Sequence, residues 1–73
     1  MTEAEARAAL RAFVAGGEVE RWIAERPWEA TTNGWRVRGR LHNRRFRVKP
    51  VPGGLRVSMS APGRAPAEWL VPG

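Results

Sequence analysis

Seven cations stand at alternate positions in one third of this chain: Arg36, Arg38 and Arg40, then Arg45, Arg47 and Lys49, then Arg56. Successive side chains of an extended strand point to opposite faces, so such runs gather on one side of a sheet. Guanidinium forks and ammonium groups are matched to phosphate and carboxylate oxygens. Ser58 and Ser60 continue the same alternation and could donate neutral hydrogen bonds to an anion. A single histidine, His42, falls beside Arg40, Arg44 and Arg45. Such a histidine could act as a general base on RNA, with the arginines stabilising the charge of the phosphorane. A histidine between two strands is ordinarily a turn residue, and no catalytic residue is expected.

The rest of the inventory removes other chemistries. The chain has no aspartate, cysteine or tyrosine, so neither a nucleophilic triad nor a thiolate zinc site can be assembled. A metal site would need His42 together with glutamates far away in sequence, so none is expected. Val51-Pro52-Gly53-Gly54 lacks the lysine and following helix of a phosphate loop. No cofactor is expected.

Three strands must position the cations. Trp35, Val37, Gly39 and Leu41 alternate with the first three arginines, Phe46 and Val48 with the next group, and Leu55, Val57 and Met59 with Arg56, Ser58 and Ser60. One face is therefore apolar and the other wet. A two-residue turn at His42-Asn43 sets Leu41 opposite Arg44, Gly39 opposite Phe46 and Val37 opposite Val48. A turn within Val51–Gly54 sets Pro50 opposite Leu55, Val48 opposite Val57 and Phe46 opposite Met59. The same register pairs Arg40 with Arg45, Arg38 with Arg47, Arg36 with Lys49, and Lys49 with Arg56. Facing like charges destabilise a sheet by roughly 0.2–1 kcal/mol per pair. An anionic partner would supply the missing charge.

A fourth strand is expected over residues 28–32. Asn33-Gly34 reads as its turn, with Thr32 opposite Trp35, Ala30 opposite Val37, and Trp28 over the missing side chain of Gly39. Its outward residues, Glu29 and Thr31, end the positive face on that side. Upstream, Thr2-Glu3-Ala4-Glu5 matches a capping box. Ala6, Ala9, Leu10, Phe13 and Val14 form one apolar helical stripe, which Gly16-Gly17 ends or kinks. Glu18 to Arg26 reads as a second, shorter helix stopped by Pro27, with Val19, Trp22 and Ile23 on one face. Residues 61–66 have loop composition. Ala67–Val71 fits either one helical turn or a short strand, with Trp69 and Leu70 sealing an edge of the core. All four tryptophans, 22, 28, 35 and 69, fall on inward positions. No aromatic shares the cationic face, which argues against a base-stacking platform.

The expected architecture is a two-layer α+β domain over residues 1–73: a helix or helix pair (2–26) on a four-stranded antiparallel meander (28–60), with a tail (61–73). A curled SH3-like barrel with an N-terminal helix is the alternative. Seventy-three residues without disulfides leave a marginal core. The absence of cysteine fits a reducing cytoplasm. The acidic, alanine-rich start is unlike a signal peptide. No apolar run approaches the ~20 residues of a membrane span, so no membrane partner is expected.

The net charge of +6 is unevenly spread: residues 1–29 carry four arginines and six glutamates, while residues 30–67 carry nine cations and no acid. Such asymmetry points to a polyanion. The expected function is binding of duplex DNA or structured RNA through phosphates, by Arg36, Arg38, Arg40, Arg45, Arg47, Lys49, Arg56 and Ser58. A module docking an acidic protein is the second expectation. The order helix, Gly-Trp strand, turn histidine, strand, Gly turn, strand also resembles the HicA-type mRNA interferase toxins over about half of the chain. In that resemblance the family's Gly-Ser-His falls on Arg40-Leu41-His42, and its C-terminal helix is missing or reduced to Ala67–Val71. The resemblance implies a ribonuclease, a third expectation.

Overall fold

The first helix forms where its end is capped. Thr2 Oγ1 accepts from the Glu5 backbone N–H at 3.2 Å, and Glu5 Oε1 accepts from the Thr2 backbone N–H at 3.0 Å. That completes the reciprocal box and satisfies donors that a helix leaves open at its N-terminus. The hydrogen bonds from Thr2 hold the Glu5 carboxyl below its ordinary pKa of 4.5. A computed structural model describes residues 1–14 and 16–73. In it α1 spans Glu3–Arg11 and α2 spans Gly17–Glu25. α1 ends before the glycine pair, through bonds from the Ala12, Phe13 and Val14 N–H groups to the Ala9 and Leu10 carbonyls. Gly16, at φ 115°, stands instead at the N-cap of α2, so the pair separates two helices rather than kinking one. α2 carries no basic residue in its last turn. Arg7 of α1 takes that role across the gap, donating from Nη1 to Ile23 O at 3.1 Å and from Nη2 to Arg26 O at 3.2 Å. Cations at a helix C-terminus meet unpaired carbonyls and the negative end of the dipole.

Five strands follow: β1 Trp28–Thr31, β2 Gly34–Val37, β3 Arg45–Val51, β4 Gly54–Ser60 and β5 Ala67–Pro72. They form one antiparallel sheet in chain order, β1-β2-β3-β4-β5. The protein is therefore α+β, with one strand more than expected, and the sheet is not closed into a barrel. The additional strand is Ala67–Pro72. Ala67, Trp69 and Val71 are half-buried toward the core while Glu68, Leu70 and Pro72 are exposed. Among the described residues no helix is long and apolar enough to cross a membrane.

The β3–β4 register is the expected one: Pro50 faces Leu55, Val48 faces Val57, Phe46 faces Met59 and Lys49 faces Arg56. Pro52-Gly53 make the turn, with Gly53 at φ 92° as a proline-glycine turn of type II requires. Two other expectations are corrected. In the first hairpin Thr31 faces Gly34, Ala30 faces Trp35 and Trp28 faces Val37, so Thr32-Asn33 is the turn and Gly34 belongs to the strand. The reason is steric: a Cβ on Gly34 would meet Val48 O and the Lys49 Cα of the neighbouring strand. Gly34 serves a close approach between strands rather than a positive φ. Between β2 and β3, Leu41 does face Arg44 across His42-Asn43, both of which take positive φ. Further along, however, Trp35 faces Val48 and Arg36 faces Arg47. Two additional residues on the β2 side are absorbed around Arg38-Gly39, where Gly39 turns to φ 94°. Gly39 thus lies opposite neither Phe46 nor Trp28, and the Arg38 N–H bonds to Pro27 O at 3.0 Å.

Both corrections shift pairing by an even number of residues, so side chains in the regular ladders, outside the bulge at residues 38–40, keep their faces. Leu10, Ile23, Val48 and Val57 are fully buried between the layers, with Ala6, Ala9, Trp28, Val37 and Phe46 around them. Burying each large aliphatic side chain contributes about 1.5–3 kcal/mol. Trp22, Trp35 and Trp69 pack against this core half-buried. Trp69 stacks on Phe13 with ring centroids 5.2 Å apart, and Trp35 donates from Nε1 to Met1 O at 3.2 Å.

Candidate polyanion-binding face

The outer face of the sheet is organised by one row that crosses all five strands. Glu29 faces Arg36, Arg36 faces Arg47, Arg47 faces Ser58 and Ser58 faces Glu68. Read from edge to edge, the row runs acid, cation, cation, hydroxyl, acid. Glu29 Oε1 accepts from Arg36 Nε at 2.6 Å. Glu68 Oε2 lies 3.5 Å from Arg56 Nε. The acids therefore sit on the two edge strands and each pairs with the cation next inward.

The central strand lacks such pairing. Arg45, Arg47 and Lys49 are exposed on β3, and among the described residues none has a carboxylate within ion-pair distance. Two residues of antiparallel strand rise about 6.8 Å, so the backbone positions of the three cations form an evenly spaced line about 14 Å long. The sheet ladder fixes their backbone positions. Their apolar neighbours, Phe46 and Val48, are 2 % and 1 % exposed and anchor the strand from the other side.

The expected site residues divide into three groups. Arg36, Arg47, Lys49, Arg56 and Ser58 line one shallow hollow with Ser60 and Glu68. Arg36, Arg40, Arg45 and Arg47 line a second, beside Glu29 and Gly39. Arg38 lines neither and sits at the bulge, exposed. Three of the four expected like-charge pairs change: Arg36 faces Arg47 rather than Lys49, and Arg38 and Arg40 fall in the bulged segment outside the regular ladder. Arg40 Nη1 bonds instead to Asn43 Oδ1 at 3.4 Å. The Lys49–Arg56 pair stands as expected.

Sequence reasoning missed Glu68 as part of this face, because Ala67–Val71 was compatible with helix or strand. The alternation of Ala67, Trp69 and Val71 with Glu68, Leu70 and Pro72 was the available signal. His42 lies apart from the row. Its Nε2 is 3.2 Å from Glu18 Oε1, both side chains well exposed. The segment that would be the C-terminal helix of the HicA-type resemblance is strand β5. Among the described residues no three histidine, aspartate or glutamate side chains gather as a metal ion would need. Compared with known proteins, the chain matches no family model, no curated protein and no solved structure.

Proposed function

We propose that the outer face of the sheet binds duplex nucleic acid, DNA or structured RNA, chiefly through its phosphates. The observation that carries this reading is the line of Arg45, Arg47 and Lys49 on the central strand. Each is exposed, and the neighbours of Arg47 and Lys49 across the ladder include the further cations Arg36 and Arg56. A solvated face would ordinarily mix signs along its centre. Here the acids stand on the edge strands. Ser58 and Ser60 add neutral donors, and phosphate contacts of this kind position a protein on a duplex without reading its sequence. No aromatic residue belongs to the row Glu29–Arg36–Arg47–Ser58–Glu68 or to the Arg45–Arg47–Lys49 line, and Trp35 at the rim of the hollow is tied to Met1 O, which favours a duplex over stacked single-strand bases.

A salt series tests the proposal. Phosphate contacts release condensed counterions, so log K falls linearly with log salt, by about 0.9 per contact on duplex DNA. Three to five contacts give a slope of roughly −3 to −4.5. Micromolar or tighter binding is expected at low salt, nearly independent of base sequence, for at least one of duplex DNA and duplex RNA. Absence of binding to both at low salt refutes the proposal. Preference for an acidic protein over either duplex would make the face a protein-docking surface.

A further inference from the structure

The row that crosses the sheet limits how a duplex can lie on it. Neighbouring strands are about 4.8 Å apart, so the edge acids Glu29 and Glu68 stand about 19 Å from one another across the face. Only the band over β2, β3 and β4, about 10 Å wide, is cationic. The grooves of B-DNA are about 6 and 12 Å wide, and the phosphates that border them are further apart than that, centre to centre. With one backbone over Arg47, the second falls at or beyond an edge strand, over Glu29 or Glu68. A duplex spanning the sheet groove-on would therefore set a phosphate against a carboxylate.

We infer that this face takes a single phosphodiester backbone running lengthwise along β3, held by Arg45, Arg47 and Lys49, with Glu29 and Glu68 acting as rails that keep Arg36 and Arg56 from the phosphates. The inference rests on the proposed polyanion binding and specifies its geometry. The two ion pairs do two things at once. They withdraw Arg36 and Arg56 from the ligand, and they repel a second backbone on either side. The β3 line therefore engages three phosphates of one strand, while Arg40, in the bulge, is held by Asn43 Oδ1 at 3.4 Å.

The test is the salt slope of binding to a short labelled DNA duplex, followed by fluorescence anisotropy. It uses the full chain and two variants of equal net charge. Glu29→Gln/Glu68→Gln removes the rails. Glu20→Gln/Glu25→Gln removes two exposed acids from α2, on the helical layer covering the opposite side of the sheet. The unaltered protein should give a slope of about −2.7, and the rail variant about −4.5 as two more cations reach phosphates. The rail variant should also bind at least tenfold more tightly at low salt. The α2 variant should keep the slope of the unaltered protein. A slope near −4.5 for the unaltered protein, or equal slopes for the two variants, overturns the inference while leaving phosphate binding in place. Absence of binding by the unaltered protein at low salt, both to this duplex and to an RNA duplex of the same length, overturns the parent proposal and this inference together. The slope of the unaltered protein needs no mutation, so a variant that fails to fold does not remove the test.

Discussion

Replacing Arg47 with glutamate should stabilise the unliganded protein and weaken its binding to polyanions. Arg47 faces Arg36 across one ladder and Ser58 across the other. The Arg36–Arg47 contact is a like-charge pair, unfavourable by roughly 0.2–1 kcal/mol, and reversal converts it to an attraction of similar size. Arg36 already holds Glu29, and the side chains are exposed, so the gain falls well short of the sum; about 0.5–1 kcal/mol is expected. For a chain of this length that corresponds to a rise in Tm of roughly 2–8 °C. The gain should shrink in high salt, where exposed charges are screened. Binding should move the opposite way. One phosphate contact is lost, flattening the salt slope by about 0.9, and the new carboxylate repels the backbone it replaces. At least a tenfold loss of affinity at low salt is expected, about 1.4 kcal/mol. Thermal unfolding by circular dichroism and anisotropy titrations on a duplex measure both halves. A lowered Tm would mean that Arg47 supports the fold. Unchanged affinity would mean that β3 does not meet the ligand.

Two glycine substitutions should both destabilise, for different reasons. Gly34→Ala forces β2 away from β3 because its Cβ meets Val48 O and lies 2.9 Å from Lys49 Cα, and should cost about 1–3 kcal/mol in urea unfolding. Gly39→Val has open space, with Arg26 Nη1 3.6 Å from the added Cβ, but must hold φ 94°; it should cost about 1–3 kcal/mol, and Gly39→Asn clearly less. Equal costs for valine and asparagine would refute the backbone explanation. The Glu5 carboxyl titrates lower when folded than when unfolded, so the unfolded chain binds more protons and stability rises with pH through that window. The contribution is present above pH 4.5 and is lost as pH falls toward the lower folded value; Glu5→Gln should flatten this part of the stability profile, and an identical profile would refute the assignment.

Much of the fold was legible because several signals were redundant. The capping box and apolar stripe of α1 agree with each other, and Pro52-Gly53 and the alternation on both sides fix one register for β3 and β4. The unread parts share a cause in glycine, which answers several different physical demands. Gly34 reads as a turn residue after Asn33 but is needed for close strand approach. Gly39 reads as a gap in the core face but is needed for a positive φ at a bulge. Nothing in either sequence neighbourhood distinguishes these uses. Apart from the bulged segment around Arg38, the cationic face was legible since its assignment depends only on parity, and both register changes were even. Its acidic borders were half legible: Glu29 was placed correctly at one edge, while Glu68 depended on Ala67–Pro72, whose sequence fits one helical turn as well as a strand. Which cations remain without a carboxylate partner could be read only once both edges were known.

The chain-order sequence of the strands has a kinetic consequence. Every strand pairs with its immediate successor or predecessor, so the whole sheet can assemble by closing consecutive hairpins, each a step on the order of microseconds. No strand must wait for a distant segment to be threaded between two others, and the entropy of closing long loops never has to be met before contacts form. The exposed β3 cations are thus held by a strand whose two partners, β2 and β4, are also its nearest neighbours in sequence. A ribosome would release each hairpin nearly ready to pair, after the helices that cover Phe46, Val48 and Val57 have already emerged.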